Sequence, residues 1–416
     1  MTRLRATFKS LSNYNYRLYF VGQSVSASGT WMQRLGQAWL VLDLTGSGTM
    51  LGVTAALQQL PMLMLGPWTG LLADRVDKRR LIVATQAAAA ALAIALFILT
   101  ATESVELWMV LLLAMALGVT DAVDRPVRSA FVVEMVGPER LTNAVVLNSV
   151  VMNAARTVGP AIGGIVIATL GLAASFLINS VSYLAVVGVV LAMRTRELRP
   201  PVAAAAGPGQ VRNVFRHVMA KPELAWPLGL MTVAGLLAFE WTITLPLLAR
   251  DTFGGDARTL GFLFSAMGIG AVIGGLWAAA SLAATETSLL RTAWRFSVLL
   301  VAVALAPGLP VALLALFLLG AASIAMRGVA MSLLQLNADP DMRGRVMALF
   351  AMALAGTTPV GGPLVGWIGE TFGARTAFAL AGIGTGLATW ALHLGVRRAR
   401  RRASPPVADV AVDQAG

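Results

Sequence analysis

A few charged side chains stand where the sequence is otherwise too apolar to tolerate them: Glu240, Arg34, Arg156 and Arg327, with Asp121 close behind. Glu240 lies deep in an apolar run, about 15 residues or about 22 Å from its inner end at 1.5 Å per residue. A lone carboxylate in such surroundings is costly when ionised, so it either acquires a cationic partner or serves to load and release a proton. Both readings are open for Glu240: a proton carrier, or a static ion pair with Arg156 or Arg34. Asp121 and the nearby Asp124 are further candidate carriers, with Arg125 and Arg128 four residues on as alternative partners. If the three deep arginines converge, the space between them is electropositive and favours anionic or neutral amphiphiles over organic cations. Backbone carbonyls or snorkelling toward headgroups would neutralise that bias.

Two polar stripes accompany these charges. Gln23, Ser26, Thr30, Arg34 and Gln37 recur at steps of three or four and so share one helical face, as do Ser149, Asn153, Arg156 and Pro160. Such a face avoids lipid, either by lining a water-filled path or by hydrogen bonding to a neighbouring helix. The candidate lining set is Gln23, Thr30, Arg34, Gln37, Asn153, Arg156 and Arg327. Trp31, Trp39, Trp241 and Tyr183 could stack on aromatic substrates or anchor the chain at the membrane interface. Enzyme chemistry finds little material. There are no cysteines and two histidines, His217 and His393, which lie apart, and no G-x-S-x-G nucleophile motif. No metal site and no cofactor are expected.

The elements that must position these groups are membrane spans. Of 416 residues 57% are apolar and 12% charged, with a mean hydropathy of +0.75, whereas soluble proteins run about 45 to 50% apolar and about 25% charged. At about 20 residues per span this composition suffices for about twelve helices. Apolar runs fall near 17–43, 49–73, 80–100, 106–124, 141–169 and 173–193, then near 224–249, 259–282, 291–306, 310–333, 344–370 and 374–395. The expected organisation is a first six-helix half (1–193), an exposed linker (194–221) rich in proline, alanine and arginine, a second half (222–396) and a disordered basic tail (397–416). Among basic residues Arg250, Arg258 and Arg375 fall outward and most of the 32 Lys and Arg fall on one side, which places both termini in the cytoplasm. That asymmetry accounts for the net charge of +12 without nucleic acid. The first span lacks a cleavage signal and is expected to stay.

The halves echo one another: PERLTNAV at Pro138 and GPAIGG at Gly159 recur as PDMRGRVMAL from Pro340 and GPLVGW from Gly362. Between spans 2 and 3 stands GLLADRVDKRR, Gly70 to Arg80, which resembles the cytoplasmic signature loop of the major facilitator superfamily. Residues 15–52 and 124–149 resemble its enterobactin-exporter and macrolide-efflux branch. The resemblance implies an all-α integral membrane protein of twelve transmembrane helices in two six-helix halves, a secondary exporter usually driven by inward proton movement. It marks Gly70, Asp74, Arg75, Asp77, Arg79 and Arg80 as the signature loop, with Arg125, Arg128, Arg343 and Arg345 as possible partners for its aspartates and Lys78 among the residues holding it at the headgroups. The loop acts either as a state-dependent latch or as a topogenic positive loop. ARTVGPAIGG resembles the antiporter glycine–proline motif: Gly159, Pro160, Gly163 and Gly164 either bend the helix or let helices pack closely. Ala114, four residues before Gly118, stands where many proton-coupled relatives carry arginine. The second-half counterpart near Gly274 lacks the charges, leaving the first-half loop as the charged latch.

The expected function is a monomeric exporter of small amphipathic molecules, such as siderophores, drugs or metabolites, across the cytoplasmic membrane by alternating access and proton antiport. An uncoupled facilitator or importer is the alternative within transport, and a non-transporting sensor the alternative outside it. Its expected partners are the substrate, protons and the lipid bilayer.

Overall fold

A computed structural model of the chain describes residues 9–199, 210–340 and 342–403; within these, the side chains of 67, 70–75, 153, 210–214, 279 and 396–403 lie outside the description. The described residues are helical almost throughout and contain no strand. The first half runs α1 (Tyr14–Thr45), α2 (Gly48–Arg75), α3 (Lys78–Ala101), α4 (Leu107–Val136), α5 (Pro138–Leu170) and α6 (Leu172–Leu191). A short helix, α7 (Gln210–Ala220), leads into α8 (Pro222–Leu237), α9 (Trp241–Leu247), α10 (Ala257–Ser281), α11 (Glu286–Ala304), α12 (Leu309–Asn337), α13 (Arg343–Ala355), α14 (Thr358–Phe372) and α15 (Ala374–Ala403). Counting α8–α9 and α13–α14 as one span each gives the two sets of six.

Eleven of these spans are long and apolar enough to cross a membrane by length and composition alone; α1 is not among them. Its 32 residues rise about 48 Å, enough for a hydrocarbon core of about 30 Å. It reads as less apolar because Gln23, Ser26, Gln33 and Gln37 are buried against protein. Local signals fix the ends. Asn13, Asp77 and Asp256 accept hydrogen bonds from the backbone N–H groups of Tyr16, Arg80 and Thr259 and so start α1, α3 and α10. Gly137 and Gly171, at φ +72° and +83°, make the one-residue joints between α4, α5 and α6.

Three expectations need correction. The seventh span is not continuous: it breaks at Ala238–Glu240, and Glu240 sits in the break with φ −87° and ψ 48°. The β-branched Thr242, Ile243 and Thr244 and the donor-less Pro246 make the next turns a poor continuation of the helix. The boundary at 396 is not a helix end, since α15 runs on through Arg397–Arg402 to Ala403, as alanine and arginine readily allow. The linker 194–221 is not exposed throughout, because it contains α7, in which Val218 is 3% exposed.

The halves meet at one end of the bundle. Gly48 and Gly52 of α2 lie against Gly366 and Gly362 of α14: a Cβ on Gly52 would stand 2.2 Å from the Gly362 carbonyl oxygen. Gly164 of α5 and Gly261 of α10 face each other similarly, each Cβ position 3.0 Å from the opposite Cα. Small residues permit this approach where lipid provides no hydrophobic drive for helices to associate.

Candidate functional site

Between the halves lies a cavity of about 320 Å³ whose wall draws on both. From the first half come Trp31, Arg34 and Gln37 of α1, Gln58 and Gln59 of α2, Arg125 of α4 and Arg156 of α5. Across from them stand Glu240 and Trp241 in the broken seventh span, Arg327 of α12 and Thr358 at the start of α14. The eleventh span is also interrupted, at Gly356–Thr357, so two discontinuous spans meet here. Thr358 lines the same wall as Glu240, a residue that is 4% exposed. Interrupted helices expose backbone and polar groups at membrane depth only where they face protein or a cavity, which is the situation here.

The four cavity arginines divide into two sets. Asp121 accepts a 2.7 Å hydrogen bond from Arg125 and lies 3.7 Å from Arg34, so it is an ion-pair partner for both. Arg34 and Arg156 share one aromatic ring: their guanidinium carbons are 4.9 and 5.0 Å from the Trp31 ring centroid. Arg327 stands 5.4 Å from the Phe239 ring centroid. Such cation–π contacts contribute about 0.5 to 2 kcal/mol each. Among the described residues neither Arg156 nor Arg327 has a carboxylate within 4.0 Å, and the buried Nε atoms of Arg34 and Arg156 have no hydrogen-bond partner. Glu240 likewise has no ion pair among the described residues, so the static pair with Arg156 or Arg34 is not formed in this structure.

The α1 stripe is split by depth. Arg34 and Gln37 line the cavity, but Gln23 and Thr30 do not. Thr30 shares a 3.1 Å hydrogen bond with the Tyr183 hydroxyl on α6, and Gln23 is buried among helices about 16 Å away along α1 from Arg34. The stripe is a single face, but the cavity occupies only part of its length. Asn153 lies outside the described side chains. Trp31 and Trp241 are in the cavity wall, and Trp241 also packs edge-on against Phe239 and Phe296.

The glycine–proline segment serves two contacts. A Cβ on Gly159 would stand 2.4 Å from the Ser28 carbonyl oxygen and one on Gly163 3.1 Å from Met32, so both seat α1, while Gly164 seats α10. α5 passes through Pro160 unbroken.

In the signature loop Gly70, Asp74 and Arg75 lie outside the described side chains. Asp77 caps α3 and lies 3.5 Å from Arg80, not near Arg125, Arg128 or Arg345. Those arginines are engaged elsewhere: Arg125 on Asp121, Arg128 on Asp124, and Arg345 on the Met342 sulfur. Arg79 donates to the carbonyls of Val190 and Leu191 at 3.0 and 2.8 Å, satisfying the end of α6 and complementing its dipole. Lys78 is buried rather than at the headgroups, 2.9 Å from Glu134.

Sequence reasoning missed a second charged contact, at the end where the halves meet. One oxygen of Glu370 accepts from Ser47 Oγ at 2.7 Å, Thr49 N at 2.9 Å and Thr49 Oγ1 at 2.6 Å. Beside it Arg250 donates to the Leu42 carbonyl and lies 3.9 Å from Asp43. The first-half loop is therefore not the sole charged device, and no local spacing could have announced a pairing 321 residues apart.

Residues 5–407 match the transmembrane secretion effector family. The chain is 24% identical over 373 residues to the staphyloferrin A transporter of Staphylococcus aureus, covering 89% of this chain and 93% of that one. It is 23% identical over 386 residues to macrolide efflux protein A of Streptococcus pyogenes (89% and 94% covered) and 25% identical over 383 residues to the enterobactin exporter of Shigella flexneri (89% and 86%). In fold it is similar to an inward-facing bacterial homolog of the lysosomal transporter Spinster, at TM-score 0.72 and 14% identity over 94% of this chain and 99% of that one. A bacterial homologue of the iron transporter ferroportin, also inward-facing, gives 0.67 and 16% over 90% and 98%. The chain, a multi-pass membrane transporter of the major facilitator superfamily and not an enzyme, belongs to the transmembrane secretion effector family.

Proposed function

We propose that this transporter exports small amphipathic molecules across the cytoplasmic membrane by alternating access, exchanging them for protons at Glu240, with both termini cytoplasmic. The observation that carries the reading is Glu240 itself: the one carboxylate on the cavity wall among the described residues, set in a helix break and free of an ion pair. In the proposed cycle the contacts around Glu370 close the outer end while the cavity loads from the cytoplasm, and the signature loop with Asp74 holds the opposite end when it closes. The names of the macrolide efflux and enterobactin exporter relatives support export, and that of the staphyloferrin A transporter supports transport of compounds of that general size and character.

The charge around the cavity favours a second reading, uncoupled transport of an anion. Four arginines against Glu240 and Asp121 leave two positive charges around the cavity, or three once Glu240 takes up a proton. Protonation of Glu240 therefore favours binding of an anion, the wrong sign for exchange, but the right sign for loss of a bound cation and neutral toward an uncharged amphiphile. An anion would leave without exchanging for that proton, driven by a potential worth about 2.3 kcal/mol per charge per 100 mV.

Inside-out vesicles with an acidic interior and a pH reporter separate the two. Addition of a neutral amphiphile should collapse the gradient in the parent protein and leave it intact in Glu240→Gln. Transport that proceeds unchanged in Glu240→Gln and follows the imposed potential would replace proton exchange with the uncoupled reading.

A further inference from the structure

On the face of α10 and α12 that turns away from the central cavity lies a separate apolar groove of about 520 Å³, closed on a third side by α11. Its floor consists of small residues: Gly274 approaches α12 so closely that a Cβ there would stand 2.3 Å from the Ala321 Cα. Trp277 and Trp294, 50% and 43% exposed, stand at its rim. Arg295 lines the same groove, and Arg291 lies one turn below it on the same exposed face of α11.

Two arginines at i and i+4 on a helix repel each other. Here they also stand on a face turned to lipid, about 7 and about 13 Å along a helix only about 28 Å long, where an exposed guanidinium is costly. Among the described residues neither has an ion-pair or hydrogen-bond partner. Snorkelling along the rim would let both guanidinium groups reach one level. A basic notch above an apolar furrow between helices matches the two parts of a phospholipid with an anionic head.

We propose that this groove holds an anionic phospholipid, its phosphate between Arg291 and Arg295 and one acyl chain lying over Gly274, Ala321 and Ala325. The same two helices present Gly268, Ala271, Ser323 and Arg327 to the central cavity, so the lipid supports the helix pair from behind.

Native mass spectrometry of the full chain with phosphatidylglycerol and phosphatidylethanolamine of matched acyl chains tests the site. Each arginine should favour the anionic lipid by about fivefold, or about 25-fold together. Arg291→Gln with Arg295→Gln should bring the two lipids within about twofold, while Arg258→Gln, an exposed arginine at the other end, should change nothing. Arg295→Lys keeps the charge and should keep most of the preference. Ala322→Phe, which fills the furrow without altering charge, should weaken both lipids and gives a readout if the double variant does not fold. Equal binding of the two lipids by the parent protein, or a preference that survives in the double variant, would overturn the proposal.

Discussion

Loss of the Glu370 carboxylate should open the end of the bundle where the halves meet. The group is solvent-exposed, so its charge is screened, yet one oxygen receives three donors from the opposite half at 2.6 to 2.9 Å. Glu370→Gln keeps an acceptor and loses the charge assistance, about 1 kcal/mol, or about fivefold in the open-to-closed ratio. Glu370→Ala loses all three bonds, about 2 kcal/mol and about thirtyfold. The chain has no cysteine, so a single Ala55→Cys on the cavity wall gives a thiol reporter without background. A membrane-impermeant thiol reagent applied from the Glu370 face should label it faster in the order parent, Gln, Ala. Labelling from the opposite face should slow only as far as the form closed at the Glu370 end is depleted. Unchanged rates in both variants, with the protein shown to be folded, would refute the view that these bonds hold the end closed.

Ion pairs within and beside the bundle give two further expected outcomes. Lys78 and Glu134 are 7% and 12% exposed, so Lys78→Met alone leaves a buried carboxylate unpaired and should cost about 3 to 5 kcal/mol. Lys78→Met with Glu134→Leu should recover most of the lost thermal midpoint. At the linker end the 2.7 Å hydrogen bond from Lys221 holds the Asp339 carboxyl below its usual range, with His217 also facing it at 3.5 Å. A lowered carboxylate stabilises the folded form above the ordinary value of about 3.9 and loses that contribution as pH falls through the folded-state value. Hydrogen exchange of the α7 amides, corrected for its intrinsic pH dependence, should therefore stay constant from neutral pH down to about 5, accelerate only in stronger acid, and already be fast at neutral pH in Asp339→Asn.

The corrections share a physical origin. Asp121 with Arg125 and Asp124 with Arg128 were legible because four residues bring side chains together on any helix. Lys78 read as a headgroup residue because its neighbours are basic; its actual partner, on α4, is fixed by how α3 packs there. Gln23 and Thr30 shared a helical face with Arg34, but a face does not specify the depth at which a cavity opens. Glu240 looked like a residue within a helix because hydropathy is blind to a break in an apolar run, and this one keeps local backbone bonds on either side, from Ala238 and Phe239 back to Ala234 and from Ile243 and Thr244 to Glu240.

The features legible in the chain alone are those that act over short range or through composition. In lipid every backbone polar group must be satisfied within its own segment, so long apolar runs become helices, and residues such as Asn13, Asp77 and Gly171 mark their ends whatever the neighbours. Which charges meet is settled by packing. Arg34 and Arg156 share Trp31 because α1 packs on α5, while docking the two halves brings Glu370 to Ser47 and Thr49 and sets Glu240 across a cavity from Arg156, contacts that no sequence interval relates.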